Sequence, residues 1–166
     1  MATPTTLPAS FTAGQVLTAA QMNNLRGAFR VLQVVQATTA TPVSTTSTTY
    51  VTSGLSASIT PSATTSKVLV MVSLNVSNAN SNGAAICTIF RGTVAGTNVY
   101  GANGFSTNYA SSGNTVATAS SVYLDSPATT SAQTYTVGIK TGSALSSATA
   151  QDGSATSTIT LMEISA

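Results

Sequence analysis

The chain has 166 residues, the length of one ordinary domain, and carries only five Lys or Arg and three Asp or Glu. Charged residues make up 5% of the sequence, against about 25% in a typical globular protein. This excludes a basic nucleic-acid footprint, because clustered Lys and Arg are needed to displace counterions from phosphate. The hydrophobic fraction of 42% and the mean hydropathy of +0.28 favour a folded chain over a disordered one.

Residues 1–36 form the first predicted unit. Thr18 and Gln21 have the spacing of a capping box, which begins a short helix that we expect to run to about Arg30. A hydrophobic staple and a seam of three-four spacing run along this segment: Leu17, Met22, Leu25, Phe29 and Leu32. A helix this short needs a partner surface. That partner is the chain's own β-domain, a symmetry mate or another protein.

Residues 37–166 form the second predicted unit, a β-domain. From Val31 onward, apolar residues alternate with Ser and Thr as in half-buried strands. The pattern predicts these strands: 31–37, 47–53, 55–59, 67–76, 84–91, 94–100, 115–124, 135–139 and 156–164. Short strands separated by turn clusters, with no helical pattern between them, indicate an antiparallel sandwich or barrel. We therefore predict a mainly β protein with a short N-terminal helix.

The strand at 67–76 is apolar on both faces, because Leu69 and Met71 interrupt the alternation. Such a strand is covered on both sides, in the middle of a sandwich or against a neighbouring subunit. Together with the lack of surface charge, this predicts a homotrimer.

The longest apolar run of the whole chain, Val68–Val72, is far shorter than the roughly 18 residues that indicate a membrane span. No secretory signal is recognisable, so we expect synthesis in the cytosol, with Cys87 as a buried structural thiol.

Three polar stretches are predicted to be long loops: 77–83, 101–114 and 141–155. The loop region near residues 100–114 combines aromatic rings with amides, which suit the C–H groups and hydroxyls of a neutral glycan. The candidate ligand contacts are Tyr100, Asn103, Phe105, Asn108 and Tyr109. The alternative is that the aromatics pack a subunit interface or the end of the sandwich.

The sequence favours a protein that is not an enzyme. It has no His, which removes the usual general base and the commonest metal ligand. Nothing in the spacing of Asp125, Asp152 and Glu163 brings two carboxylates together. Asp125 precedes Ser126 and Pro127 and is predicted to cap a turn. We expect no catalytic residues, no metal and no cofactor.

Two sets of residues resemble bacteriophage virion proteins, particularly small tail-fibre and adhesin-like ones. Residues Phe11–Asn23, with the sequence FTAGQVLTAAQMN, are similar to an N-terminal attachment segment of phage fibre and minor tail proteins. Residues 47–52, 58–72, 124–132 and 157–164 resemble a β-domain found at the ends of similar proteins. The resemblance implies a jelly-roll-like head similar to the tumour-necrosis-factor and C1q heads, often trimeric.

What the resemblance implies about function has two forms, because the chain has no extended fibre shaft. One is a tail fibre or adhesin that contacts a host-surface glycan through its head loops. The other is a decoration (cement) protein on the outside of the phage capsid. In both, the protein is assembled in the host cytoplasm, and its partners are its own copies and other virion proteins. The apolar residues of the N-terminal segment would then attach it to the particle.

Overall fold

The computed structural model describes residues 14, 16, 18, 19, 30–79, 83–110 and 114–165, with the backbone alone at 106–110. The described residues contain eleven strands: β1 (Val31–Thr39), β2 (Val43–Thr45), β3 (Val51–Ile59), β4 (Lys67–Ala79), β5 (Gly83–Arg91), β6 (Thr97–Asn98), β7 (Ser106–Ala110), β8 (Thr115–Asp125), β9 (Gln133–Thr141), β10 (Ser147–Ala150) and β11 (Ser157–Ile164). A short 3-10 helix, Asp152–Ser154, separates β10 from β11. The chain is mainly β, as predicted.

Sheet 1 contains β1, β2, β4, β8, β10 and β11. The 13-residue strand β4 pairs with β8 along one side, while β11 and then β10 pair along its other side. β1 pairs with β11 and β2 pairs with β10, so β1 and β2 act as one interrupted strand, as do β10 and β11. The sheet thus has four strand positions, in the order β1/β2, β11/β10, β4 and β8.

Sheet 2 contains β3, β5, β6, β7 and β9. β9 lies between β3 and β5, and the other side of β5 pairs with β7 at one end and β6 at the other. β6 and β7 therefore form one interrupted edge strand. Sheet 2 also has four strand positions, in the order β3, β9, β5 and β6/β7.

The order of these eight positions defines a jelly roll. In chain order, the first, eighth, third and sixth positions form sheet 1, and the second, seventh, fourth and fifth form sheet 2. All pairs are antiparallel. Two four-stranded sheets with this order are the jelly-roll form of the β-sandwich. The sandwich predicted from the alternating pattern is therefore confirmed.

The core lies between the two sheets and follows the alternation of the strands. β4 supplies the largest set of fully or nearly fully buried side chains: Val68, Val70, Val72, Leu74 and Val76. Sheet 2 faces them with side chains that include Leu55, Ile89, Tyr135, Val137 and Ile139. Cys87 is also fully buried in this cluster, as predicted.

One buried amide lies where the interruptions in sheet 1 meet. Gln151 is fully buried and has a left-handed backbone (φ 54°) where β10 ends. With its amide turned to match its surroundings, it donates to the carbonyls of Thr41 (3.1 Å) and Ser53 (3.0 Å) and accepts from the Ser157 hydroxyl (3.2 Å). The side chain thus links Thr41, between β1 and β2, to Ser157 at the start of β11 and to Ser53 on β3 of the facing sheet.

The predicted N-terminal helix falls almost entirely outside the described residues, and so do Leu17, Met22, Leu25 and Phe29. Leu32 is described, and its predicted place in the helical seam is wrong. It lies half-buried in β1, because Val31–Thr39 pair with β11 along their length. The predicted boundary at residue 36 falls inside this strand.

The three predicted loops contain regular structure. The stretch 101–114 includes β7, and the stretch 141–155 includes β10 and the 3-10 helix. β4 continues to Ala79, so Asn78 is a fully buried strand residue that donates to the Gly83 carbonyl (2.5 Å). Backbone pairing with long neighbouring strands has outweighed the turn-like composition of these segments.

Candidate functional surfaces

The segment between β6 and β7 is held firmly against sheet 2. The Asn98 side-chain oxygen accepts from the amides of Tyr100 (3.2 Å) and Gly101 (2.9 Å), and the Phe105 amide donates to the Cys87 carbonyl (2.9 Å). Gly104 has φ 70°, and a Cβ there would lie 2.1 Å from the Cys87 carbonyl oxygen. Only glycine fits this close approach.

The aromatic residues of this segment close one side of the sandwich. The Tyr100 ring lies edge-on to Phe105 (5.2 Å between centroids) and to Tyr123 on β8 (6.0 Å). All three are half-buried and pack against the core. They fill the gap between the edge strand β6/β7 of sheet 2 and the edge strand β8 of sheet 1.

The structure brings together part of the predicted ligand surface. Tyr100 and Phe105 are in contact, and Asn103 is exposed between them in the chain. Asn108 and Tyr109 lie in β7, where they pair with Ala85 and Ala84 of β5. The structure describes only the backbone at these two positions.

The apolar part of the outer face of sheet 2, around Phe90, is covered by residues of the same domain. Phe90 is 5% exposed and lies over Gly138, where a Cβ would come within 2.7 Å of its ring. Tyr50 packs edge-on against Phe90 (5.5 Å) and donates to the Ala102 carbonyl (3.0 Å), while the Lys140 ammonium lies 4.5 Å from the Tyr50 ring centre. Burial raises the pKa of Tyr50 to about 12, so its hydroxyl stays a donor at neutral pH.

The outer face of sheet 1 carries an apolar patch with no such cover among the described residues. Cross-strand pairing sets Val34, Met162, Leu69 and Leu124 in one row across all four strands, and sets Met71 beside Val122 in the next row. Val34, Leu124 and Val122 are 55%, 53% and 64% exposed. We call these six residues the apolar patch.

Asp125 joins the two sheets. It is 3% exposed at the end of β8 and accepts from Arg91 on β5 (2.8 and 2.5 Å) and from the Tyr135 hydroxyl on β9 (2.6 Å). Burial would raise its pKa, but the hydrogen bonds from Arg91 and Tyr135 hold the pKa of Asp125 below its usual value. The same burial and the Asp125 carboxylate raise the pKa of Tyr135.

The predicted role of Asp125 as a simple turn cap was incomplete. Its carboxylate does accept from the Ser126 amide, but its main partners are Arg91 and Tyr135. One sequence signal could have indicated this network. Tyr135 alternates with Val137 and Ile139 and so faces the core, where a phenol hydroxyl needs a partner.

Glu163 is a second buried carboxylate on the inner face of sheet 1. It is 1% exposed and accepts from the Gln33 amide (2.7 Å), the Ser62 amide (2.7 Å) and the Ser62 hydroxyl (2.6 Å). Burial would raise its pKa, but the bonds from Ser62, Gln33 and Ser66 hold the pKa of Glu163 below its usual value. Among the residues that the structure describes, hydrogen-bond dipoles and not a cation balance its charge.

The two carboxylates flank Val68 on neighbouring strands, since Val68 pairs with Glu163 on one side and with Asp125 on the other. Both are ionised, buried and bonded to structural donors, which is the opposite of a general acid with a raised pKa. Burial also raises the pKa of the Cys87 thiol to about 12, which makes it unreactive at neutral pH. These groups serve the fold.

Within the described residues, no three of His, Cys, Asp and Glu lie close enough together to hold a metal ion. No helix in the described part of the chain has the length and apolar character to cross a membrane.

No protein-family model matches the sequence, and a search of curated proteins finds no match. Among solved structures, the chain is similar to a structure of infectious bursal disease virus, Gx strain, with 18% identity and a TM-score of 0.43 over 80% of this chain. It is also similar to a mutant VP2 protein of the same virus in derived T=1 particles, with 16% identity and a TM-score of 0.39 over 81% of this chain. This chain spans 36% of the length of each of those chains.

Proposed function

We propose that this protein is a non-enzymatic structural component of a bacteriophage virion, of the tail-fibre or adhesin type. Residues 1–36 attach it to the particle, and the jelly-roll domain faces outward toward a neutral glycan of the host surface. The observation that carries the proposal is that the two buried carboxylates of the described residues are engaged in structural hydrogen bonds. Asp125 and Glu163 are both held in structural bonds, which leaves the hydroxyl-rich surface and not acid–base chemistry to act.

The glycan-contact part of this proposal centres on the segment 99–105. Hydrogen bonds to Asn98 and the close packing of Gly104 fix its backbone. Asn103 is exposed, and its side chain carries no charge. A rigid loop loses little conformational entropy on binding, which favours recognition of a weakly interacting sugar. Asn108 and Tyr109 complete the proposed contact surface with Tyr100 and Phe105.

Assembly as a homotrimer is part of the same proposal. β8 is an eleven-residue edge strand that pairs only with β4 in the described part of the chain. A long edge strand offers unpaired backbone groups to another copy. Light scattering at micromolar concentration should give three times the mass of the chain, and a monomer would contradict this part.

A capsid decoration protein is the second candidate function, favoured by one observation. Tyr100 and Phe105 are packed against Tyr123 and the core, so much of their ring area already serves to close the sandwich. A decoration protein needs a stable outward domain and no sugar-stacking ring. Under this alternative the loop has no ligand.

Locating the protein on purified particles by immunogold labelling tests the two forms. Label at the tail supports the adhesin, label over the capsid supports decoration, and absence from particles contradicts both. Adsorption gives a second measurement. Asn103→Ala should reduce particle adsorption about tenfold if the loop binds host glycan. The control Ser120→Ala, an exposed change on the other sheet, should leave adsorption unchanged.

The attachment role has its own test. Leu25→Ser with Phe29→Ser should leave the β-domain folded, with unchanged circular dichroism, and abolish incorporation into particles. Asn23→Ser with Asn24→Ser changes the same segment outside the apolar seam and should be incorporated normally. Normal incorporation of the first variant would place the attachment site elsewhere.

A further inference from the structure

The apolar patch on sheet 1 lies on the face of the sandwich that the described residues leave open. Its central residues Leu69 and Met71 belong to β4, the strand whose other face forms the middle of the core. None of the six patch residues is charged. Lys67, two residues before Leu69 on β4, donates to the Ser126 hydroxyl (2.7 Å). The patch therefore suits an uncharged, apolar cover.

The N-terminal segment leaves the domain at the corner of this face. Arg30 is fixed to the end of β11, because its amide donates to the Ser165 hydroxyl (2.9 Å) and its carbonyl accepts from the Ser165 amide (2.9 Å). β1, which begins at the next residue, contributes Val34 to the patch. The chain that precedes Arg30 thus starts within a few residues of the surface to be covered.

The size of the patch favours a short segment over a second subunit. The six patch residues lie on strands about 4.8 Å apart and each occupies about 7 Å along its strand, which gives an apolar area of about 200 Å². The predicted helix, at about 1.5 Å per residue and about 10 Å wide, would cover about 20 by 10 Å. A stable interface between proteins needs about 800 Å² on each partner, roughly four times the area of the patch.

We infer that in the free protein the apolar patch is the docking surface of the chain's own residues 18–30. Met22, Leu25 and Phe29 supply the matching apolar side chains, and Gly27 gives the segment a position at which to turn back over the sheet. Of the three partner surfaces that the sequence leaves open for the predicted helix, this inference selects the chain's own β-domain. It concerns the protein before assembly and stands whether the particle site is on the tail or on the head.

A disulfide test on the full chain measures this docking directly. Met22→Cys combined with Leu69→Cys should form an intrachain disulfide under mild oxidation, seen as a reducible shift at monomer mass. Met22→Cys with Thr118→Cys is the control, since Thr118 lies six residues along β8 from Leu124, the partner of Leu69, about 20 Å away. Cys87 does not compete, because it is buried.

Each result of the disulfide test decides the inference. An intrachain bond with Leu69→Cys, but not with Thr118→Cys, supports docking on the patch. A bond between two chains would show that the segment covers a second copy, and it would overturn the inference. Absence of a bond, or equal bonding at both positions, would overturn it as well.

Limited trypsin digestion provides a second measurement. Arg26 and Arg30 lie in or beside the segment, whereas Lys67, Arg91 and Lys140 lie in strands. Val122→Ser with Leu124→Ser should speed cleavage at Arg26 at least about tenfold, because it weakens the cover and raises the population of the released segment.

Val116→Ser is the matched control, since it changes an exposed valine of the same strand and face outside the patch. It should leave cleavage unchanged. Equal rates for the wild type and the patch variant would overturn the inference. The patch variant should still be incorporated into particles, because its attachment residues are intact, so a failure of docking can be told apart from a failure of the attachment proposal.

Discussion

The outer faces of the two sheets differ in how their apolar residues are covered. On sheet 2, Phe90 lies over Gly138 and beneath Tyr50, and the segment 99–105 is anchored beside it. On sheet 1, Leu69 and Met71 have strand neighbours but no covering element among the described residues. β4 and β5 are both apolar on two faces in sequence, so the difference arises from what the connecting segments do. A doubly apolar strand predicts a cover without telling which element supplies it.

A large effect on stability is expected at Asp125, where the two sheets are joined. Asp125→Ala leaves Arg91 and the buried Tyr135 hydroxyl without their acceptor, and we expect a loss of about 3 kcal/mol in the free energy of unfolding, at the low end for a broken buried pair because Arg91 is partly exposed. Urea denaturation measures it. Asp152→Ala, at a half-buried turn position, is the control and should cost under about 0.5 kcal/mol. Similar losses in the two variants would contradict the role of Asp125.

Truncation on the two outer faces tests the comparison itself. Phe90→Ala on the sealed face should cost about 3 kcal/mol, because it opens a cavity beneath Tyr50. Val116→Ala on the open face, outside the apolar patch, should cost under about 0.5 kcal/mol. Both are measured by urea denaturation with unchanged m-values. If the two costs are equal, the outer face of sheet 1 is covered more completely than the described residues indicate.

Acid should weaken the inner face of sheet 1 through its two carboxylates. The pKa values of Asp125 and Glu163 are lowered in the folded protein. Their contribution to the free energy of unfolding is therefore complete above the pKa of the unfolded chain, about 4, and is lost as the pH falls through the lower pKa of the folded protein. We expect stability to be level from pH 7 to about pH 5 and to fall below about pH 4.

The matched variants for this acid effect are Asp125→Asn and Glu163→Gln. Each lowers stability at neutral pH but removes its own titrating group, so the double variant should show a flatter dependence on pH between about 5 and 2. Thermal unfolding across this range measures the slope. An unchanged slope in the double variant would show that other groups carry the acid sensitivity.

The long strands could be predicted from the sequence because their alternation is set by the core. β4, β8 and β11 were predicted within a few residues of their bounds, and the merger of two predicted strands into β3 follows from a bulge at Gly54 (φ 79°). The short strands β2, β7 and β10 were missed. Their sequences VST, STNYA and SATA contain few large apolar residues, and each is a strand because a longer neighbour pairs with it.

The candidate surfaces were predictable only in part. The contact of Tyr100 with Phe105 follows from a tight loop rich in glycine, which the composition indicates. The role of Asp125 does not follow, since its partners Arg91 and Tyr135 are distant in sequence and meet it only when the sheets stack. The apolar patch needs cross-strand register to be recognised, because Val34, Leu69, Leu124 and Met162 come from four separate strands.

The smallest expected effect links the open face to the N-terminal segment. Leu69→Ala removes a half-buried side chain at the centre of the apolar patch and should cost about 1 kcal/mol in the full chain. In a chain that also carries Leu25→Ser and Phe29→Ser, the same change should cost almost nothing, because the cover has already been lost. The difference between these two costs is the coupling energy of a double-mutant cycle.

Leu74→Ala, on the core face of the same strand, is the control and should cost about 3 kcal/mol in both backgrounds. If the cost of Leu69→Ala is the same in both, residues 18–30 do not cover this face, and its contrast with the sealed face belongs to the domain alone.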